Sequence, residues 1–222
     1  MTRQIILTQD GSHTIAIPQL KVTYHSTFGA VQESKHVFIE AGLIPLLKTK
    51  QHLHIIEVGF GTGLNALLSI CEIENTGKTI VYTAIEPFPL TKKEADALNY
   101  CNWLQKPDYK IYFDKLHSCD WEKYEPITPG FTLYKTKQPL QDCSQIPIQQ
   151  LVFFDAFAPA AQTELWSREV FDQLYGLLEP NGILVTYCSK GEVRRTMQAA
   201  GFKIEKLPGP PGKREMIRAS KI

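Results

Sequence analysis

From residue 53 onward the apolar positions switch back and forth between a strand period and a helix period. Leu53-His54-Ile55-Ile56-Glu57-Val58 is a short apolar run of the kind buried on both faces of a sheet. A glycine-rich turn over residues 59–63 leads into residues 64–74, where apolar residues recur at helical spacing. The same pattern predicts a strand over 79–85, a helix over 90–100, a strand over 151–155 and a helix over 163–178. Pro180-Asn181-Gly182 reads as a turn into a strand over 183–188, and a helix over 192–200 stops at Gly201, a residue suited to ending helices. Two strands, 202–207 and 215–219, close the chain around a turn rich in proline and glycine.

Such alternation implies a mostly parallel sheet with helices on both faces. Only a loop joins the last two strands, so the final strand is expected to be antiparallel. The first fifty residues read differently. Strand-like runs at 4–8 and 13–17 flank Asp10-Gly11, a favoured hairpin step, and a helical pattern over 33–47 is expected to break at Pro45. Together these predict a β-hairpin arm and helix over residues 1–50, packed on an α/β domain over 51–222. Residues 101–149 are less legible, and a helix, a crossing loop and one strand over 131–136 are expected there.

Composition narrows the function classes. The 222 residues are 43% hydrophobic and 21% charged, which excludes disorder over most of the length. A net charge of +1 excludes a uniformly basic coat for nucleic acid. No apolar run approaches the roughly 18–20 residues that span a bilayer, and the N-terminus has no signal-type stretch, so a cytoplasmic location without membrane contact is expected. Five cysteines (Cys71, Cys101, Cys119, Cys143, Cys188) form no C-x-x-C pair, which argues against a disulfide framework or zinc site. His52 and His54 share a strand face without a third ligand nearby, so no metal is expected.

The glycine turn carries the strongest chemical signal. In Glu57-Val58-Gly59-Phe60-Gly61-Thr62-Gly63 the glycines let the backbone approach a ligand closely at the mouth of a helix. Glu86 ends the next strand, where a carboxylate can accept hydrogen bonds from both ribose hydroxyls of an adenosine ligand. The bland alternative is a tight turn with a solvated acid. Gly61-x-Gly63-x-x-Ala66 fits a degenerate NAD fingerprint, but the first glycine normally sits right after the strand, and the pattern counted from Gly59 fails at Leu64. An acid ahead of a G-x-G-x-G run matches S-adenosylmethionine loops, where it helps position the amino-acid end of the cofactor. The methyl donor is therefore the expected cofactor.

Further along, Asp142 is placed to bond an adenine amino group, or is simply an exposed loop acid. Asp155 ends an apolar strand and opens Asp155-Ala156-Phe157-Ala158-Pro159. Ligands in open α/β sheets bind beyond the carboxyl ends of strands, although Asp155 would also serve as a helix cap. Residues 190–221 hold nine basic residues against three acids. An excess of that size suits phosphate contact, with scattered solvated lysines as the alternative.

These segments together resemble the methyltransferase part of MnmC-type tRNA-modifying enzymes. The resemblance is carried by EVGFGTGLN at 57–65, by DAFAP at 155–159 with Trp166, and by Ser189-Lys190-Gly191 through Arg194-Arg195 to Lys213-Arg214-Glu215. Tyr24-His25-Ser26, Gly29-Ala30 and Glu33-Ser34 also fit. It spans nearly the whole chain from about residue 22, except residues 101–140. It implies a class I, Rossmann-like S-adenosylmethionine-dependent methyltransferase that converts a 5-aminomethyl group on a tRNA wobble uridine to 5-methylaminomethyl. Many family members are fused to an FAD-dependent oxidase. This chain ends right after its last strand, so the stand-alone form is expected, with FAD unbound and the aminomethyl precursor made by other enzymes.

On this resemblance Glu57, Gly59, Phe60, Gly61, Gly63 and Asn65 hold the cofactor with Glu86, Asp142 and Asp155. Asp155 would orient the attacking amine or act as its base, and Phe157 would stack on the everted uracil with help from Phe60 or Tyr24. Tyr24, Lys190, Arg194, Arg195, Lys213 and Arg214 would contact tRNA. Rival readings are a small-molecule amine N-methyltransferase or aminopropyltransferase of the same fold, an NAD-dependent oxidoreductase, and a non-catalytic RNA-binding module.

Overall fold

In the computed structural model, which describes residues 2–143 and 145–222, two sheets form. The smaller is antiparallel: β1 (Gln4–Leu7), β2 (His13–Ile17) and β3 (Val22–Thr23). Asp10 steadies its first turn by accepting the Ser12 N–H at 2.9 Å, and Gly11 takes φ +82° there. The two-residue β3 is too short to leave a periodic trace in the sequence.

The helical stretch that follows corrects the expectation of a break at Pro45. α1 (Ala30–Ser34) runs through a π-helical segment (Lys35–Leu43) into α2 (Ile44–Leu47). The wide π-turn, in which the Ile44 N–H reaches back to the Ile39 carbonyl, gives the proline ring room. The Ala41 carbonyl, which Pro45 cannot serve, lies 3.5 Å from Arg218 Nη1.

The larger sheet has eight strands in the order β10-β11-β9-β8-β4-β5-β7-β6. Its members are β4 (His52–Val58), β5 (Thr79–Ile85), β6 (Tyr124–Thr128), β7 (Phe131–Thr136), β8 (Gln149–Phe154), β9 (Leu178–Thr186), β10 (Lys203–Pro208) and β11 (Glu215–Ser220). The five central strands are parallel, and β11 is antiparallel to both its neighbours, as the short last connection required. The antiparallel edge strand β6 was not expected, because Pro126 interrupts its pattern.

Helices cover both faces. α3 (Leu64–Ile73) follows the glycine turn, α7 (Arg168–Leu177) and α8 (Gly191–Ala199) follow β8 and β9. The helix expected over 90–100 is two short pieces, α4 (Lys92–Asp96) and α5 (Tyr100–Trp103). Trp103 Nε1 pulls the second piece onto the Asp10 carbonyl at 2.7 Å. α6 (Lys110–Ser118) lies beyond them. The helix expected over 163–178 begins as a 3-10 turn (Thr163–Trp166) and restarts where the Ser167 hydroxyl caps α7. Pro180-Asn181-Gly182 is absorbed into β9 as a bulge, with Asn181 at φ 64°.

Consecutive residues of β8 show why its sequence is apolar throughout. Phe153 packs with Phe38 on one face and Phe154 with Trp166 on the other, at ring separations of 5.3 and 4.9 Å. Each such buried ring contributes roughly 1.5–3 kcal/mol of transfer free energy. The two cores lock β8 beside β4, where the chain order reverses between β5 on one side and β8 on the other. A crevice opens there beyond the strand ends.

Candidate active site

Parallel pairing sets Val58 opposite Phe154, so β4 and β8 release Gly59 and Asp155 side by side. The Asp155 N–H donates to the Val58 carbonyl at 3.0 Å. Gly59 has φ +91°, and a Cβ there would stand 2.6 Å from the Asp155 carbonyl oxygen. Gly61, at φ +50°, lies under Tyr24, whose ring would be 2.9 Å from an added Cβ. Its N–H donates to Glu86 Oε2 at 2.8 Å, and the Phe88 N–H donates to Oε1 at 2.9 Å. Glu86 is 7% exposed, burial pushes its carboxyl upward, and each oxygen keeps capacity for one further donor.

Above this floor is a cleft of about 1010 Å³, walled by the glycine loop, Glu86, Asp155, Phe157 and Tyr24 among others. Tyr24 meets Phe157 edge to face at 5.2 Å between ring centres. Arg3 closes the far wall: it donates to the Pro89 carbonyl at 3.0 Å, pairs with Glu94 at 3.3 Å and lies 5.9 Å from the Tyr24 ring centre. Burial raises the Tyr24 phenol to about 12.

Behind the wall, Asn65 in the first turn of α3 donates from Nδ2 to Glu57 Oε1 at 2.8 Å and to Asp155 Oδ2 at 2.9 Å. Glu57 is 1% exposed, and burial with the nearby Asp155 charge holds its carboxyl well above the usual range. Glu57 Oε2 and Asn65 Oδ1 are buried without hydrogen-bond partners in the structure. Burial first, then the charge of Glu33, lifts Asp155 to about 8, against the opposing pull of Asn65 and Lys213. His25 shares a 2.6 Å hydrogen bond with the Thr62 hydroxyl, and burial lowers its imidazole to about 4.

Tyr24, Gly59, Phe60, Gly61, Glu86, Asp155 and Phe157 thus meet in one cleft, with Glu57 and Asn65 just behind. Gly63, at φ +72°, faces His117 and Phe60 rather than the opening. Asp142 is exposed, and its neighbours Pro139, Leu140 and Gln141 line the cleft wall. The 3-10 turn Leu140–Asp142 buries Leu140 and turns the acid outward.

The basic tail divides. Lys206, Lys213 and Arg218 pair with Glu215, Glu33 and Glu205 at 2.6–2.7 Å. Lys190 lies 3.8 Å from Glu192. Arg195 and Arg214 are exposed and have no salt-bridge partner among the described residues, and Arg194 is half-buried. Sequence reasoning missed Arg3 and the placement of Glu33. Neither carries a local pattern, because both act across the fold. Among the described residues no group of three or more His, Cys, Asp or Glu is placed to hold a metal, and no helix is long and apolar enough to cross a membrane.

Residues 139–222 match the model of a family described as S-adenosyl-L-methionine-dependent methyltransferase. Over 219 residues the chain is 31% identical to the bifunctional tRNA 5-methylaminomethyl-2-thiouridine biosynthesis protein MnmC of Pseudomonas fluorescens, covering 88% of this chain and 31% of the relative. The chain therefore spans about a third of the length of the curated relatives it matches. Its fold is similar to the crystal structure of MnmC2 from Aquifex aeolicus, with a TM-score of 0.79 at 22% identity over 99% of this chain and 70% of that one. Spermidine synthase from Thermotoga maritima shares the fold at a TM-score of 0.56 and 12% identity, over 99% of this chain and 69% of that one. By fold the chain is similar to class I S-adenosyl-L-methionine-dependent methyltransferases, and by sequence it is similar to MnmC proteins over about a third of their length.

Proposed function

We propose that this protein methylates the primary amine of a 5-aminomethyluridine at the wobble position of tRNA, using S-adenosylmethionine, in the cytoplasm. The observation that carries this reading is the Tyr24–Phe157 aromatic corner beside Asp155, in the same cleft as the glycine loop. A flat base enters such a corner and stacks, which puts its 5-substituent within reach of the strand end.

The residues fit the cofactor. Gly59 and Gly61 leave a cradle that side chains would fill, and Glu86 has unused acceptor capacity for ribose hydroxyls. The unpaired Glu57 Oε2 and Asn65 Oδ1 are acceptors near the place where a cationic amino-acid group would lie. When bound, S-adenosylmethionine supplies an electrophilic sulfonium methyl. The chain's own task is alignment and proton management. The amine must be held as the neutral base, with its nitrogen lone pair free and aimed toward the place that methyl would occupy. Asp155 takes the proton that the nitrogen releases, a role suited to a carboxyl raised to about 8. Phe157 and Tyr24 hold the base in line. Arg194, Arg195 and Arg214 serve the phosphate backbone, while Lys213 is committed to Glu33.

Mass spectrometry of wobble nucleosides from cells lacking the gene tests this directly. Loss of the methylaminomethyl form with accumulation of the aminomethyl form is expected. An unchanged nucleoside profile contradicts it.

A further inference from the structure

Glu33 and Lys213 stand 180 residues apart in sequence and meet behind the Asp155 loop. Glu33, on α1, is 5% exposed. Its Oε1 lies 2.6 Å from Lys213 Nζ, and its Oε2 accepts the Ser26 N–H at 2.7 Å. Lys213, in the β10–β11 turn, lies with its Nζ 3.8 Å from the centre of the Tyr187 ring. The Tyr187 hydroxyl donates to the Ala156 carbonyl at 2.8 Å, one residue from Asp155. Glu33 is buried while Lys213 keeps about a third of its side chain exposed, so the pair carries charge from the surface to the back of the Asp155 loop.

We infer that the Glu33–Lys213 pair sets the charge against which Asp155 exchanges its proton, with both members acting as positioning residues for the transfer. The inference rests on Asp155 as proton acceptor. After burial, Glu33 is the strongest upward influence on Asp155, while Lys213 and Asn65 act downward. The other groups facing Asp155 are Glu57 from β4 and the phenols of Tyr82, Tyr100 and Tyr187. Burial keeps those phenols neutral, and Glu57 is held toward its neutral acid. His25, close to Glu33, is also neutral because burial lowers it to about 4. The pair therefore contributes two opposed charges, with Glu33 the stronger, and removing either one exposes the other.

Single-turnover rates with tRNA carrying 5-aminomethyluridine, measured across pH, separate this from a structural role. Lys213→Met should move the rising limb of the profile to higher pH by roughly one unit, so the rate falls roughly tenfold near neutral pH and recovers in alkali. Glu33→Gln should move the limb to lower pH. The double variant should place it between those of the two single variants. If Lys213→Met does not fold, Glu33→Gln and the double variant decide. Limbs that stay in place, or variants that lower the rate equally at every pH, overturn the inference. Asp155→Asn is the control for the reading beneath it: unaltered turnover in that variant removes Asp155 as acceptor, whereas lost turnover with unmoved limbs in the pair variants removes only the role of the pair.

Discussion

A side chain at residue 59 would collide with the peptide of residue 155: a Cβ on Gly59 would stand 2.6 Å from the Asp155 carbonyl oxygen. The glycine that shapes the loop after β4 and the acid at the end of β8 are thus one packed unit. Gly59→Ala also forces alanine to φ +91°. We expect a loss of roughly 1–3 kcal/mol of stability together with weakened cofactor binding. Thermal melts and calorimetry with S-adenosylhomocysteine check both, and a variant with unchanged melting and affinity would contradict the packing argument.

Glu86 braces the glycine loop and lines the cleft at once. Glu86→Ala should weaken binding of S-adenosylhomocysteine by roughly 2–3 kcal/mol, since a charged acceptor for two hydroxyls is removed. It also frees the Gly61 N–H from its partner. Isothermal calorimetry reads the loss, and NAD should give no heat with either form.

The pH dependence of stability follows from the raised Asp155. Burial lifts the folded carboxyl from the ordinary 3.8 to about 8, so the folded protein binds the extra proton. That contribution is fully present below the unfolded value and is lost as pH rises through the folded one. Asp155→Asn removes the cost of a buried carboxylate. Its Tm should exceed that of the unmodified protein by roughly 2–4 °C or more near pH 9, with the gap closing toward about pH 4. A gap that widened in acid would reverse the assignment.

Substrate class is tested by salt. If Arg194 and Arg195 contact phosphates, replacing both with alanine should raise KM for tRNA and lower the salt slope of binding by about two. Cofactor affinity should not change, because neither arginine lies in the cleft. A changed cofactor affinity would place the pair in the wrong part of the protein.

Much of the framework was legible because it is written locally. The apolar runs of β4 and β8 are buried on both faces, and a strand-turn-helix around three glycines has few other readings. What was hidden depends on contacts across the fold. Pro45 survives inside a helical stretch because a π-turn and Arg218 accommodate it. The exposure of Asp142 is set by one 3-10 turn that buries Leu140. Lys213 looked free in a basic tail, yet its partner Glu33 lies at the other end of the chain. Arg3 reaches the cleft wall only through the small N-terminal sheet.

Transfer of a methyl group to an amine displayed on RNA is tested most directly in a reconstituted reaction. Purified protein, S-adenosylmethionine labelled in the methyl group, and tRNA bearing 5-aminomethyluridine should yield labelled 5-methylaminomethyluridine on nucleoside analysis. The free nucleoside should be a far poorer acceptor, since it offers the basic tail no backbone. Label absent from the tRNA, or methylation of the free nucleoside with equal kcat/KM, would contradict the account.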